Sequence, residues 1–300
     1  MSLVIICGAT ATGKSELALA VAKELNAEIV NADSMQVYKG MDIGTAKLSL
    51  AERQGINHHL IDLLEVTQEA NVSWYQGLAR AKIDEILQSG NSVVVVGGTG
   101  LYIKAILDDL NFPDTDPVIR QQITDEAEQV GNEQMHQRLA KLDPAAALAI
   151  PKENIRRVIR ALEVIQITGK PFTANLPRQA SSKYPKAQQF GLVLDRENLD
   201  SKIDARVEDM WSKGFVREVM QLMTKGLEQA TTAKMALGYG QIMNFLNGEC
   251  DEKFAKEETK RVTRAYARRQ ETWFSRDDRI KWLAPESNSK RLEKLLASIN

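Results

Sequence analysis

The chain has 300 residues, 43% of them hydrophobic, and 39 basic against 40 acidic side chains leave a formal net charge of −1. That length buries a sizeable core and leaves room for an insertion, while near-neutral charge neither demands nor excludes a nucleic-acid partner. No run approaches the roughly 18 apolar residues of a membrane span, the amino terminus enters a strand without room for a signal peptide, and Cys7 and Cys250 show no C-x-x-C spacing, so a soluble cytoplasmic protein with free thiols is expected.

Leu3 to Cys7 (LVIIC) is a short apolar run that suits a buried parallel strand. The next eight residues, Gly8, Ala9, Thr10, Ala11, Thr12, Gly13, Lys14 and Ser15, fit the P-loop pattern G-x-x-x-x-G-K-[ST] at every fixed position. Glu16 to Leu25 then places Leu17, Ala20, Val21 and Leu25 at helical spacing. Strand, glycine loop and helix together make the match credible. Backbone N–H groups and a helix N-terminus would converge there on a partial charge of roughly +0.5, and Lys14 adds a full one. A di- or triphosphate is the expected guest. The plain alternative is a glycine turn joining a core strand to a core helix.

Glu28 to Val30 reads as a second strand, running into Asn31-Ala32-Asp33-Ser34, and Met35 to Lys47 as a mixed loop. His58 to Asp62 offers another short strand and Trp74 to Gln88 a helix. Val93 to Val96 is the most hydrophobic strand, and it leads into Gly97-Gly98-Thr99-Gly100 with no acid at its tip. A P-loop NTPase usually carries an Asp there to help hold Mg²⁺. Here the acid comes from a different strand: Asp33, with Thr99, belongs at the carboxyl edge of a parallel sheet beside the P-loop. A carboxylate so placed binds metal or takes a proton; a turn-capping Asp is the alternative.

After a helix over Leu101 to Leu107 the pattern changes at Asn111 to Pro117, where two prolines mark a boundary. Val118 to Leu142 and Pro144 to Ile167 carry helical periodicity, and a polar stretch from Arg178 to Lys186 precedes a strand over Gln189 to Leu194. Leu199 to Lys225 and Phe254 to Arg276 read as helices packing back on the sheet. The expectation is an α/β fold: a P-loop-type core with a mainly parallel sheet flanked by helices (1–112 and 187–300), plus a helical insertion (113–186). Basic residues cluster twice. Arg156, Arg157 and Arg160 share one insertion helix, and Lys260, Arg264 and Arg268 form an i, i+4 stripe on another. A solvated helix face is the bland reading; two such helices near a phosphate site favour a polyanionic partner.

The segments GATATGKS, NADSMQVYKGMDIGTAK, HHLID, VVVVGGTGLYIKA, RRVIRALEV, LGYGQ and YARRQETWF resemble, in order and spacing, the bacterial tRNA dimethylallyltransferases (tRNA isopentenyltransferases). The resemblance covers nearly the whole chain. It departs at Ala9 and Leu48, where the family often has Pro, and it lacks the zinc-finger extension of eukaryotic relatives. It implies transfer of a dimethylallyl group from dimethylallyl diphosphate to the N6 amine of an adenosine beside the tRNA anticodon. Asp33 would be the general base, Thr99 a contact to diphosphate or amine, and Arg206 a holder of the leaving group, with Mg²⁺ near Ser15. A surface arginine paired with Asp204 or Asp209 is the alternative for Arg206. Asp33, Ser34, Met35, Gln36 and Thr99 would meet the target adenosine. Arg120, the segment Arg156, Arg157, Val158, Ile159 and Arg160, and the stripe Lys260, Arg264 and Arg268 would meet the rest of the tRNA, bound by a monomer. His58 and His59, adjacent on a strand, point to opposite faces and are not expected to share a metal. Trp74, Trp211, Trp273 and Trp282 read as core. The rival readings are an adenylate isopentenyltransferase, a small-molecule kinase and a nucleotide-sensing RNA-binding module.

Overall fold

Side chains alternate across Leu3–Gly8 (β1), and all six residues are buried, so this strand needs cover on both faces. A computed structural model of the chain, describing residues 1–110, 112–175 and 182–299, provides that cover. Asn111 of the boundary and the Arg178 to Ser181 part of the polar stretch lie outside the described residues. The chain divides into two compact units, Met1–Leu107 with Tyr184–Asn300, and Asp108–Lys183.

In the first unit β1 leads to helix α1 (Lys14–Glu24) and strand β2 (Ala27–Asn31), then β3 (His58–His59), α2 (Val72–Gln88), β4 (Ser92–Val96) and α3 (Gly100–Leu107). In the second unit lie four helices, α4 (Pro117–Val130), α5 (Asn132–Leu142), α6 (Pro144–Ala149) and α7 (Ile155–Thr168). The first unit resumes with β5 (Gln188–Leu192), α8 (Arg196–Ser212), α9 (Phe215–Met223), α10 (Tyr239–Leu246), α11 (Glu252–Phe274), β6 (Ile280–Leu283) and α12 (Asn288–Ile299). The sheet is parallel throughout in the order β3-β2-β4-β1-β5-β6. Leu3, Ile5 and Cys7 face a core built with α2, α3 and Phe274 of α11. Val4 and Ile6 face Leu17 and Val21 of α1 and Leu295 of α12.

Two features depart from the sequence reading. The third strand is only two residues long, and a sixth strand, β6, extends the sheet at its far edge. The expected packing of the helices over 199–225 and 254–276 on the sheet holds for α11 but not for α9, which pairs with α10. Phe215, Val219, Leu222, Tyr239 and Ile242 instead bury Val37, Tyr38 and Met41 of the loop after β2, forming a separate core.

The insertion unit begins at Asp108 and ends at Lys183, against the expected 113 and 186. Asp116 caps α4 by accepting the N–H groups of Val118 and Ile119, with Pro117 in the first turn, where its missing N–H costs nothing. Gly131, at φ 82°, ends α4 and starts α5, splitting what the periodicity reads as one helical stretch. Ile123, Met135, Leu139, Val158 and Leu162 form this unit's own core. Trp273 and Trp282 are not core residues: they are 44% and 42% exposed. The ring of each lies against a glycine, Gly100 and Gly191 respectively, where an added Cβ would lie 2.1 and 2.7 Å away.

Candidate active site

Strand order assembles the site. β2, β4 and β1 are neighbours, so their carboxyl ends deliver Asp33, Gly97–Gly98 and the P-loop side by side. Gly8 leaves β1 at φ 137° with β5 so close that a Cβ would meet the Leu192 carbonyl oxygen at 2.7 Å. Only glycine fits there. Gly13, at φ 92°, precedes α1 without any side-chain cap, which leaves the first-turn amides of that helix available to an anion. The Thr12 hydroxyl donates to the Ala9 carbonyl at 2.8 Å and the Lys14 ammonium to the same carbonyl at 2.6 Å, so the loop carries its own tie.

The loop opens onto a cavity of about 350 Å³ lined by Thr10, Lys14, Ser15, Asp33, Arg206 and Arg269, among others. Asp33 is the only carboxylate in that lining among the described residues, against three cations. A net positive cavity beside an uncapped helix N-terminus suits a diphosphate. Burial, and then the neighbouring Arg206, bring the Lys14 pKa down to about 8, with Asp33 pulling the other way.

Asp33 is held from both sides. The Asn31 side chain accepts the Asp33 N–H at 3.0 Å and donates to the Asp33 and Leu60 carbonyls. One carboxylate oxygen of Asp33 accepts the Met35 N–H at 2.9 Å, and the residue lines the cavity. The geometry of the turn-capping alternative is therefore present in this side chain. Ser34, Met35 and Gln36 also line the cavity. The Thr99 hydroxyl oxygen accepts the Ser34 N–H at 3.1 Å and lies 3.3 Å from the Ser34 hydroxyl, tying the β4 loop to the β2 loop.

Arg206 is not paired with Asp204 or Asp209. Leu199 and Ile203 pack α8 on Ala9 of the P-loop, and Arg206, one turn on, donates to the Thr10 hydroxyl at 3.1 Å. Three contributors escaped the sequence reading. Gln270 on α11 accepts the Thr10 N–H at 2.9 Å and donates to the Gly98 carbonyl at 2.8 Å, bracing P-loop and β4 loop together. That amide is therefore committed to the protein. Tyr266, one turn earlier, lies beside Thr99 and Gln270, its pKa pushed up to about 12 by burial and then by the Asp33 charge, so it stays protonated. Arg291 on α12 is buried behind the loop and donates to the carbonyls of Thr12, Val193 and Ala284. The segment YARRQETWF held the first two in plain sight, but polar residues on a helix give no sign of which sheet edge they face.

The expected tRNA contacts fare unevenly. Lys260 is buried and pairs with Glu208 at 2.6 Å, Arg264 pairs with Asp204, and Arg268 lies 4.0 Å from Asp200. The stripe on α11 thus meets a matching acidic i, i+4 stripe on α8, a correction to its reading as a free phosphate-binding face. In the insertion unit Val158 is fully buried in the core. Ile159 packs against that core and is partly buried. Arg120 and Arg160 hold the buried Glu163 carboxylate at 2.9 and 3.0 Å, and Arg160 also donates to the Pro113 and Asp114 carbonyls. Arg156 and Arg157 remain exposed. The His59 ring faces Glu28 at 2.7 Å and the His58 ring the Ile56 carbonyl at 2.9 Å.

A glycine loop at the carboxyl edge of a parallel sheet, cations converging on it and an acid from the next strand but one define an α/β core with a cavity suited to an anion. The chain belongs to the IPP transferase family, whose model matches residues 36–277. It is 55% identical over 289 residues to a tRNA dimethylallyltransferase of Thermobifida fusca, covering 94% of this chain and 90% of that one. The fold matches the full-length tRNA isopentenylpyrophosphate transferase of Bacillus halodurans with a TM-score of 0.72 at 35% identity, over 99% of this chain and 96% of that one. It also matches a eukaryotic dimethylallyltransferase acting on tRNA, with a TM-score of 0.82 at 27% identity, over 96% and 75% of the two chains. The chain is accordingly a transferase.

Proposed function

We propose that this enzyme transfers the dimethylallyl group of dimethylallyl diphosphate to the exocyclic N6 of an adenosine next to the anticodon of a tRNA, releasing diphosphate. The observation that carries this reading is the single carboxylate, Asp33, set opposite Lys14 and Arg206 in a phosphate cavity whose β4 tip bears no acid. Such a site is poorly equipped to activate water on a nucleotide. It is well equipped to stabilise a departing diphosphate while one base accepts one proton.

In this reaction the allylic C–O bond breaks, a bond from N6 to that carbon forms, and the N6 proton passes to Asp33. The N6 lone pair is delocalised into the purine ring, so the amine is a poor nucleophile until its proton has an acceptor. The α1 amides, Lys14 and Arg206 take up the negative charge developing on the leaving group, as fixed donors needing no reorganisation. Asn31 and the Met35 N–H hold the Asp33 carboxylate in place. Thr99 keeps Ser34, and with it the adenosine side of the cavity, in register with the β4 loop. Ser15 and Asp33 line the same cavity and are a sparse oxygen donor set. That suits Mg²⁺, which takes most of its ligands from water and substrate oxygens. Ser15 would hold it, and it would neutralise diphosphate charge. Arg156 and Arg157, exposed on α7, would meet tRNA phosphates. A monomer acting in the cytoplasm completes the reading, in keeping with the absence of any described helix long and apolar enough to cross a membrane.

Incubation with unmodified tRNA and dimethylallyl diphosphate, followed by mass analysis of digested nucleosides, tests it. Prenylated adenosine in the tRNA is the expected result. Modification of free adenine nucleotide in preference to tRNA, or turnover of ATP with no prenyl transfer, would replace it by one of the rival readings.

A further inference from the structure

Glu218 lies on α9, in the helical core beside the sheet, and is 8% exposed. A buried carboxylate is costly unless every lone pair has a partner. Its partners here are three backbone amides of a single loop and one tyrosine hydroxyl. One oxygen accepts the N–H groups of Asp42 at 3.0 Å and Ile43 at 2.7 Å. The other accepts the Gly44 N–H at 3.1 Å and the Tyr239 hydroxyl at 2.7 Å. Tyr239 is fully buried, and burial together with the Glu218 charge pushes its pKa well up, so it remains a donor. The loop is pressed into this clamp: a Cβ on Gly44 would lie 2.3 Å from the Phe215 ring and 2.5 Å from the Tyr239 ring.

The clamped residues continue straight into the site. Gly44, Thr45 and Ala46 form a wall of the cavity that holds Lys14 and Asp33. The Thr45 carbonyl accepts the Gln36 side-chain N–H at 3.0 Å, and Gln36 lines that cavity too. The P-loop is braced by other residues, Gln270 and Arg291. Glu218 therefore governs one side of the cavity and leaves the phosphate side alone.

We propose that Glu218, backed by Tyr239, is a positioning residue for the acceptor base: through the Asp42–Gly44 amides it presets the Gly44–Ala46 wall and the Gln36 side chain against which the adenine is seated. The designation of that wall as the acceptor side rests on the transferase reading above.

Glu218→Gln tests it, because the carboxamide keeps the volume but turns an N–H₂ group toward backbone donors. Thermal unfolding establishes that the variant folds. Inorganic diphosphate binding is measured by calorimetry, and steady-state transfer with tRNA as varied substrate, alongside wild type. The expected result is diphosphate affinity within about twofold of wild type and a KM for tRNA raised on the order of tenfold or more. Tyr239→Phe removes one of the four hydrogen bonds and leaves the carboxylate, so a smaller shift of the same kind is expected, and it alone decides the matter should the first variant not fold. An unchanged KM for tRNA in folded variants, or an equal loss of diphosphate binding, overturns the assignment. Absence of transfer by wild type would instead overturn the transferase reading, since the diphosphate measurement stands apart from it.

Discussion

Replacing Asp33 by Asn separates proton transfer from every other job the side chain does. The carboxamide oxygen can still accept the Met35 N–H that Asp33 binds at 2.9 Å, and the Asn31 grip on the Asp33 backbone is untouched. The loop should keep its shape. On the proposed reaction, what disappears is the acceptor of the N6 proton, a contribution on the order of 10²–10⁴ in rate, or about 2.7–5.4 kcal/mol in the barrier. The charge balance changes in a calculable direction. Lys14, with its pKa brought down to about 8, is roughly nine-tenths protonated at pH 7. Asp33 is one of the charges holding that pKa up, so its loss lowers it further. Diphosphate binding should therefore be measured near pH 6.5, where Lys14 stays charged in both proteins. Under those conditions affinity is expected within a few-fold of wild type, because Lys14, Arg206 and Arg269 still line the cavity. Single-turnover transfer at saturating tRNA and dimethylallyl diphosphate then reads the chemical step. Recovery of the rate by raised Mg²⁺, or a loss confined to diphosphate binding, would refute the base assignment and make Asp33 a metal anchor.

Lys14→Ala is expected to weaken diphosphate affinity roughly 10- to 100-fold, the range for removing a charged hydrogen bond from a site of this kind, checked by calorimetry. One part of the pH dependence follows from the same residue: bound diphosphate favours the protonated amine, so the Lys14 contribution to wild-type affinity should be present below about pH 8 and be lost as pH rises through it, a difference between wild type and Lys14→Ala that calorimetry at several pH values reads. Neutralising Arg156 and Arg157 together should weaken tRNA binding and reduce its log–log salt slope by about 0.7–0.9 for each phosphate no longer neutralised, leaving kcat at saturating tRNA near wild type. Gln270→Ala removes the acceptor of the Thr10 N–H and should cost about 1–3 kcal/mol of stability in urea titrations, together with a raised KM for dimethylallyl diphosphate.

What the sequence made legible was local, and what it hid was pairing between distant segments. β1 and β4 announce themselves as short apolar runs because each is covered on both faces. β6 does not: Lys281 and the half-open Trp282 sit between buried Ile280 and Leu283, a pattern with no strand signature until β5 is beside it. The P-loop and Asp33 could be read because a glycine motif and a strand-end acid carry their chemistry in their own spacing. Arg206 could be placed only by resemblance, and Gln270 and Arg291 not at all, since a helix periodicity says which residues share a face and nothing about what that face meets. The charge stripes show the same limit most sharply. Lys260, Arg264 and Arg268 looked like a surface for phosphates, yet Asp200, Asp204 and Glu208 carry the same i, i+4 spacing in the opposite sense. Read together, the two stripes specify an antiparallel helix pair, and that pairing is what brings Arg206 of α8 and Tyr266, Arg269 and Gln270 of α11 to one cavity. The charges assigned to the substrate thus serve the frame that holds its chemistry. Arg156 and Arg157 are left as the arginines of that sequence reading whose heads stay exposed and without a carboxylate partner among the described residues.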